Sequence, residues 1–541
     1  MVAMIKHKTF LRNSIIPVAG ALLIMLNSCT KSFEDYNTNQ HEATEDMLSY
    51  DNLKTGAFFT QMERNVVIFD DGKNLSSDYQ VGQGLTSDIY AGYYAPTGTW
   101  YNGIHNGSYY FITGWIEKTF TAGFSGIMPA WQSIVTAADA DGLEEVSALA
   151  TIVKVEGMHR VADAYGPIPY LNYGSGSLQN DYNSLEDVYT KFLTELDSSI
   201  TVLTNYANGN PGATIFKRYD YIYSGNVTKW IKFANTLRLR LAMRIVYVNP
   251  ALAKTEAEKS VNHQMGLISE VTDRAALQHT SNLTYHHPLY DIAYNFNAGE
   301  ARMSASMDAY LNGYKDPRLS AYFVPAVTDG KYHGVRLGIQ TSVWSKYVGN
   351  DISNLNVDQS TSIVWMTAAE SWFLRAEGAL WGWNMGGSAQ SLYEQGIETS
   401  FAENNAGSAT NYIADATSTP AAFTDNAAGS DFSTAAPGTI TIAWNSSASF
   451  ETNQERIITQ KWIAMYPDGP EAWAEFRRTG YPRLLPVVTN NSGSTINTDK
   501  QVRRIRYPQS EYTNNAVGVI TGVNLLGGQD NGGSKLWWDK K

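Results

Sequence analysis

The spacing of apolar residues along the chain predicts a mostly α-helical protein. The most regular segment spans residues 226–246, where one apolar stripe is formed by Trp230, Phe233, Ala234, Leu237, Leu241 and Ile245. A long run rich in Ala, Val and Leu covers residues 143–163 and is followed by Gly166 and Pro167, a strong helix stop. Residues 187–203 follow Ser184, which suits the N-cap of a helix. We therefore expect long amphipathic helices.

Residues 363–383 and 389–401 predict two adjacent helices, separated by a Gly-rich break at 384–388. The segment from Ala369 to Phe373 fits the A-x-x-x-F fragment of a tetratricopeptide repeat, and the pair is close to that repeat in length. Such a pair cannot bury its apolar face alone, so neighbouring pairs must stack on it. No second strict copy occurs in the sequence, which indicates degenerate repeats and not a regular array.

Long irregular stretches separate the predicted helices, at residues 70–125, 270–300, 325–360, 405–450 and 488–535. Each stretch is longer than an ordinary connection between helices. Loops of this kind on a rigid scaffold commonly carry binding surfaces. The expected fold class is therefore mostly α, with helix pairs and long irregular loops that bind a ligand.

The N-terminal segment has the layout of a secretory leader. Lys6, Lys8 and Arg12 precede an apolar run at 15–26, which is too short to cross a bilayer as a helix. The only cysteine of the chain, Cys29, follows directly after small residues. This arrangement favours a lipoprotein signal, with the lipid on the thiol of Cys29. An ordinary signal peptide with a cysteine placed by chance is the alternative.

The leader divides the chain into three parts: a lipoprotein signal peptide at 1–28, a lipid-anchored tether at 29–45, and a single helical domain at 46–541. Stable anchoring needs more than one acyl chain, because each buried methylene contributes only about 0.8 kcal/mol. A chain with one cysteine forms no internal disulfide, so the domain depends on packing for its stability.

Composition favours a neutral, polar ligand. The formal net charge of −12 argues against nucleic acid, which requires a basic protein surface. Charged residues make up 17% of the chain and aromatic residues 12%, with 33 Tyr and 14 Trp. Tyr and Trp combine an apolar face with a polar group and tolerate partial exposure. Such side chains suit sugars, whose C–H faces stack on rings, although Tyr-rich sequences are also common among secreted proteins.

Motifs for catalysis, cofactors and metals are scarce in the sequence. There is no G-x-S-x-G elbow, P-loop or G-x-G-x-x-G motif, and His41-Glu42 lacks the second histidine of a zinc protease. The oxygen-rich segment 70–74 does not follow the calcium-loop register. We therefore predict no catalytic residue, no cofactor and no metal site. A glycosidase needs only two carboxylates beside the scissile bond, so a lipid-anchored glycoside hydrolase stays open as the alternative.

Two sets of charged residues on the predicted helices could mark chemistry. Arg238, Arg240 and Arg244 flank one apolar stripe, and such a basic face could bind anions. Glu370 and Glu377 lie seven residues apart on one helical face, where two acids could act in acid–base chemistry. Ion pairs between acids and arginines are the interpretation that we favour for both sets.

Four motifs spread over the chain resemble those of one protein family. They are residues 161–170 (VADAYGPIPY), 229–242 (KWIKFANTLRLRLA), 368–377 (AAESWFLRAE) and 469–482 (GPEAWAEFRRTGYP). Residues 316–319 (DPRL) and 535–538 (KLWW) fit as well. Together with Cys29, their order and span resemble the SusD/RagB family of SusD-like outer-membrane lipoproteins.

The resemblance implies a SusD-like α-helical fold with tetratricopeptide-like helix pairs. It implies a surface-exposed lipoprotein, anchored through Cys29 in the outer membrane of a Gram-negative cell. The implied partner is a SusC-like, TonB-dependent transporter, which the protein covers as a lid. The protein would deliver oligosaccharides or other small nutrients, including peptides, to this transporter. The resemblance implies no enzymatic activity.

No family motif carries the ligand-contacting positions over to this chain, so we searched for aromatic residues in loops. The strongest local candidate is a Gly- and Pro-containing segment whose candidate ligand-binding residues are Tyr93, Tyr94, Trp100, Tyr101 and Asn102. Trp344 and Tyr347, in a later irregular stretch, are second choices. The alternative for each of these rings is burial in the protein core. One exposed stack contributes only about 1 kcal/mol, so several rings must act together.

Overall fold

A computed structural model describes residues 52–69, 76–98, 100–177, 179–279, 285–296, 299–339, 347–427 and 431–541. Cys29, the predicted tether, the segment 70–74 and Trp344 lie outside the described residues. By its internal contacts, Thr55–Lys541 is one compact unit, the second of the two into which the chain divides. The second unit contains the aromatic loops and the charged helices that the sequence singles out.

The fold is mostly α-helical, as the sequence predicts. The longer helices, numbered in chain order, are α1 (Leu53–Val66), α2 (Met128–Asp141), α3 (Glu144–Tyr165), α4 (Leu185–Gly209), α5 (Val227–Arg244), α6 (Pro250–Val261), α7 (Ala305–Gly313), α8 (Ala368–Leu380), α9 (Ala389–Glu403), α10 (Phe450–Ala464), α11 (Gly469–Thr479) and α12 (Ala516–Leu525).

Shorter helical segments lie in the predicted irregular stretches and on their borders. Single α-helical turns occur at Ser76–Tyr79, Thr113–Ile116, Lys118–Thr121, Pro288–Tyr290, Leu319–Tyr322, Thr410–Ile413 and Gln509–Asn514. The 3-10 turns are Trp100–Gly103, Asn106–Ser108 and Val271–Asp273. The π-helical turns are Gln80–Asp88, Ala122–Ile127 and Asp291–Asn295.

Strands are few and short in the described part of the chain. β1 (Tyr94–Pro96) pairs antiparallel with β3 (Ala301–Met303), with Tyr94 opposite Met303. β2 (Ala275–Leu277) pairs antiparallel with β4 (Ile363–Met366), and the register shifts after Ala275. Each sheet has two strands, so both depend on the surrounding helices for their stability.

The boundaries of the predicted helices follow their capping residues. Helix α5 begins after Asn226, whose side chain accepts from the backbone N–H of Lys229, and its apolar stripe is fully buried. Helix α4 begins after Ser184, whose hydroxyl accepts from the N–H of Asp187 at 3.1 Å. Helix α3 ends before Gly166, which has φ of 91°. The three helices predicted from the apolar pattern are confirmed.

The first helix of the predicted helix pair starts later than the sequence suggests. Residues 363–366 form β4, and Thr367 then caps α8 by accepting from the N–H of Glu370. The prediction of helix from 363 was wrong because the side chains of Ile363 and Trp365 are buried on a strand that pairs with β2. Helices α8 and α9 pack closely, since Gly396 leaves room for the ring of Phe373.

The arginines of α5 form buried ion pairs. Arg240 donates through Nε and Nη2 to the carboxylate of Glu370 at 2.8 and 2.7 Å, and Arg244 donates to Glu471 at 2.5 Å. Glu377, on the same face of α8 as Glu370, accepts two bonds of 2.7 Å from Arg478. Ion pairing therefore explains both charged sets, as favoured from the sequence.

Candidate functional site

The segment 100–103 forms a strained turn at the protein surface. Tyr101 has φ of 52° and Asn102 has φ of 57°, so two consecutive residues other than glycine adopt the left-handed conformation. This backbone region costs side-chain-bearing residues roughly 1 kcal/mol or more each. The turn holds the ring of Tyr101 61% exposed, and the next residue, Asn102, is also exposed. Strain of this kind is typical of sites where a side chain must face a ligand.

Two tryptophans support the exposed tyrosine. The ring centre of Trp115 lies 5.9 Å from that of Tyr101 and 5.8 Å from that of Trp100, both edge to face. Trp100 is half-buried and packs over Gly98, where an added Cβ would lie 2.6 Å from its ring. The three rings form an aromatic cluster, called here the Trp100 cluster, on which a flat apolar face can stack.

A hydrogen-bonded turn under the rings fixes their position. His105 is buried; its Nδ1 accepts from the N–H of Gly107 at 3.1 Å. The hydroxyl of Ser108 donates to the carbonyl of Gly103 at 2.7 Å and accepts from the amide of Asn491 at 3.1 Å. Burial lowers the pKa of His105 to about 4, so the imidazole is neutral at pH 7. The support for the cluster is therefore uncharged at neutral pH.

Polar residues lie on either side of Trp115 in the chain. Arg506 donates from Nη2 to the hydroxyl of Thr113 at 2.8 Å, and Glu117 accepts from the N–H of Gln509 at 2.8 Å. Tyr110 is 49% exposed on the same loop. A site that combines exposed rings with polar groups of this kind can both stack on a ligand and hydrogen-bond it.

The structure separates the predicted site residues into two groups. Trp100, Tyr101 and Asn102 come together at the surface, whereas Tyr93, Tyr94 and Tyr347 are buried. The rings of Tyr93 and Tyr94 pack against Tyr466, and the hydroxyl of Tyr93 donates to the carbonyl of Trp462 at 2.6 Å. The hydroxyl of Tyr347 donates to Asp425 at 3.0 Å.

We correct the expectation for Tyr93, Tyr94 and Tyr347, because protein covers these rings and leaves no face for a surface ligand. Sequence reasoning missed Trp115. The sequence feature that could have identified it is a tryptophan next to a glycine, Gly114, in the same irregular stretch as Trp100.

The buried acids do not form an accessible catalytic pair. Glu370 and Glu377 are at most 1% exposed, and each is paired with an arginine. A glycosidase needs two carboxylates that reach the substrate, so this pair does not meet the requirement.

One group of described side chains has the composition of a metal site. His159, Asp163 and Glu471 are buried, and atoms that could act as ligands lie within 4.8 Å of one another. The guanidinium of Arg244 lies against two of them, 3.7 Å from Asp163 and 2.5 Å from Glu471. Arginine thus supplies the positive charge that the acids require.

No helix among the described residues is long and apolar enough to span a membrane. A family model described as SusD-like, "Susd and RagB outer membrane lipoprotein", matches residues 35–539. No curated protein matches this chain at a significant level.

Several solved structures have the same fold. A chitin-binding SusD homolog from Flavobacterium johnsoniae is 42% identical, with a TM-score of 0.85; the match covers 90% of this chain and 99% of that chain. A SusD homolog from Bacteroides uniformis is 39% identical, with a TM-score of 0.84 and the same coverage of both chains. One from Bacteroides vulgatus is 34% identical, with a TM-score of 0.85, and the match covers 91% and 99% of the chains.

Proposed function

This chain belongs to the SusD-like family of outer membrane lipoproteins, and we propose that it binds a saccharide chain on the Trp100 cluster without cleaving it. The observation that carries the proposal is the strained turn that holds Tyr101 outward over Trp115, beside Trp100. Backbone strain of this kind is concentrated at ligand-binding and active sites. It serves a surface that must meet a partner.

We propose chitin oligosaccharides as the first ligand class to examine. The support is the Flavobacterium johnsoniae relative, which binds chitin and is similar over 90% of this chain. The C–H faces of an N-acetylglucosamine unit can stack on Tyr101 and Trp100. Its acetamido group can accept a hydrogen bond from Asn102, on the turn itself, or from Arg506, which bonds to Thr113 two residues before Trp115.

We further propose that the captured ligand passes to a SusC-like, TonB-dependent transporter, for which this protein acts as a lid. The support is family membership and the lipoprotein signal that ends at Cys29. Purification of the native protein in mild detergent should recover a large barrel protein with it. Recovery of a lone monomer counts against the lid role.

Calorimetry with the mature chain tests the binding proposal. Chitohexaose and cellohexaose serve as probes, because they differ at the acetamido group. We expect Trp100→Ala to abolish or strongly weaken chitohexaose binding at the Trp100 cluster, and Tyr101→Ala to weaken binding there about tenfold, which corresponds to about 1.4 kcal/mol. Phe58→Ala is the matched control, since Phe58 is a 38% exposed ring on α1 and outside the cluster. Unchanged affinity in Trp100→Ala refutes the site.

A second measurement addresses cleavage. Purified protein is incubated with a panel of polysaccharides, chitin included, and new reducing ends are measured. We expect none above the buffer background. If the wild type releases reducing ends and the Trp100→Ala variant does not, the protein is a glycoside hydrolase instead.

A further inference from the structure

A second group of half-buried aromatic rings lies where α8 ends. The ring of Trp381 contacts those of Tyr247 and Phe450 edge to face, with centres 5.5 and 4.8 Å apart. The ring of Trp383 is nearly parallel to that of Trp381, with an interplanar angle of 27° and centres 6.4 Å apart. All four rings are partly exposed. They are called here the Trp383 cluster.

The turn that carries the two tryptophans is rigid. The N–H of Trp381 donates to the carbonyl of Glu377 at 3.0 Å, and the N–H of Trp383 donates to that of Gly378 at 3.0 Å. Gly382 between them has φ of 81°, although an added Cβ would meet nothing within 4 Å. Glycine is needed there for its conformation, which brings both rings to the same end of α8. A rigid turn lowers the entropic cost of binding a ligand on these rings.

Hydrogen-bonding groups surround the Trp383 cluster. Asn384 is exposed next to Trp383, and its backbone N–H donates to Glu258 at 2.9 Å, which fixes its position. On the other side, Lys541 pairs with the partly exposed Glu451 at 2.9 Å, and its ammonium lies 5.3 Å from the centre of the Tyr247 ring. The indole Nε1 of Trp381 is buried and lacks a hydrogen-bond partner among the described atoms.

We propose that the Trp383 cluster is a second saccharide-binding surface of this protein. The inference rests on the proposed function, because it assigns the same ligand chemistry to a second place. Its basis is the combination of two nearly parallel indoles on a rigid turn with an amide, a carboxylate and an ammonium around them. The two clusters share no residue, and no described ring contact connects them.

The second surface has a specific consequence for polymers. When a long saccharide chain or a particle reaches both clusters at once, the second contact is intramolecular and raises the apparent affinity. A short oligosaccharide occupies the clusters one at a time. The protein should therefore retain insoluble chitin more tightly than its affinity for chitohexaose indicates.

Calorimetry and adsorption together test the second surface. With chitohexaose, we expect two sites per wild-type chain and one site in Trp383→Ala or in Trp100→Ala. With chitin beads, we expect the apparent affinity of Trp383→Ala to fall tenfold or more, and Trp383→Tyr to restore most of it. Trp372→Ala is the matched control, because Trp372 is a half-buried tryptophan of α8, shortly before the turn and outside the cluster.

The outcomes separate the two proposals. One site per wild-type chain, with chitin adsorption unchanged in Trp383→Ala, overturns the second surface and leaves the Trp100 cluster intact. Binding that survives Tyr101→Ala and Trp100→Ala but is lost in Trp383→Ala supports the second surface and refutes the first. Absence of saccharide binding by wild type overturns both. Thermal unfolding of each variant, with a midpoint close to that of wild type, shows that a loss is not due to misfolding.

Discussion

Removal of Arg240 should destabilise the protein far more than neutralisation of its main partner, Glu370. Arg240 is completely buried and donates two hydrogen bonds to Glu370. Three further carboxylates lie near its guanidinium: Glu156 at 3.6 Å, and Asp468 and Glu471 at 3.7 Å each. Arg240 therefore lies near four buried acids, of which Arg160 and Arg244 also pair with three, whereas Glu370 is only one of four acids around Arg240.

The magnitudes follow from this asymmetry. Arg240→Met removes the hydrogen-bonded cation of Glu370 and one of the nearby cations of Glu156, Asp468 and Glu471, which keep Arg160 or Arg244. Breaking one buried pair alone costs about 3–5 kcal/mol. Glu370→Gln keeps the shape of the side chain and leaves Arg240 three other acids, so the cost is that of charged hydrogen bonds, about 1.5–3 kcal/mol. In the double variant, residue 370 no longer carries a charge that needs Arg240. The loss of stability in the double variant should therefore be less than the sum of the losses in the two single variants.

Urea unfolding followed by circular dichroism measures these differences through the transition midpoint. Arg483→Met serves as the control, because Arg483 pairs with Glu455 at 3.1 Å but is 57% exposed, and such a pair contributes at most about 1 kcal/mol. Equal losses in Arg240→Met and Glu370→Gln, or strict additivity in the double variant, refute the view that one arginine neutralises several acids.

Three further outcomes are expected. Asp88→Asn should raise the melting temperature more at pH 8 than at pH 5. Burial raises the pKa of Asp88 to about 7 in the folded protein, so the folded state loses stability relative to the unfolded state as the pH rises from about 4 to about 7. A larger gain at pH 5 contradicts this. Tyr93→Phe should lower stability by about 1 kcal/mol, because the hydrogen bond to the Trp462 carbonyl is lost. Saccharide affinity should not change; weaker saccharide binding would show that Tyr93 belongs to the binding site. Gly225→Ala should destabilise more than Gly407→Ala in thermal melts, since both have φ near 80° but only at Gly225 would the added Cβ meet a carbonyl, at 2.6 Å.

The helices that the sequence predicted well are those with a long apolar period and a polar cap. Helix α5 combines a regular stripe with Asn226 as its cap, and the observed helix starts one residue after that cap. Residues 363–366 were misassigned because four residues are too few to separate a strand from a buried helical turn by period. The strand partner Ala275–Leu277 lies far away in sequence, so local pattern could not identify it.

The candidate site was predicted only as a region. The sequence pointed to an aromatic segment from Tyr93 to Asn102, and the surface cluster does include its second half. Trp115 joins the cluster because the chain turns back after His105, where the hydrogen bonds of the 106–108 turn fix its course. No periodic pattern in an irregular stretch encodes that return.

By itself, the sequence determined the helical class, the pairing of acids with arginines, and the resemblance to one family, because these depend on residue types and their local spacing. Only the tertiary structure decided which rings face water. Tyr93 is buried because Trp462, 369 residues later in the chain, packs against it, whereas Tyr101 is exposed because a left-handed turn directs it away from the body. Exposure is a property of the whole packed chain, so a local pattern can nominate aromatic residues but cannot separate a binding surface from a core.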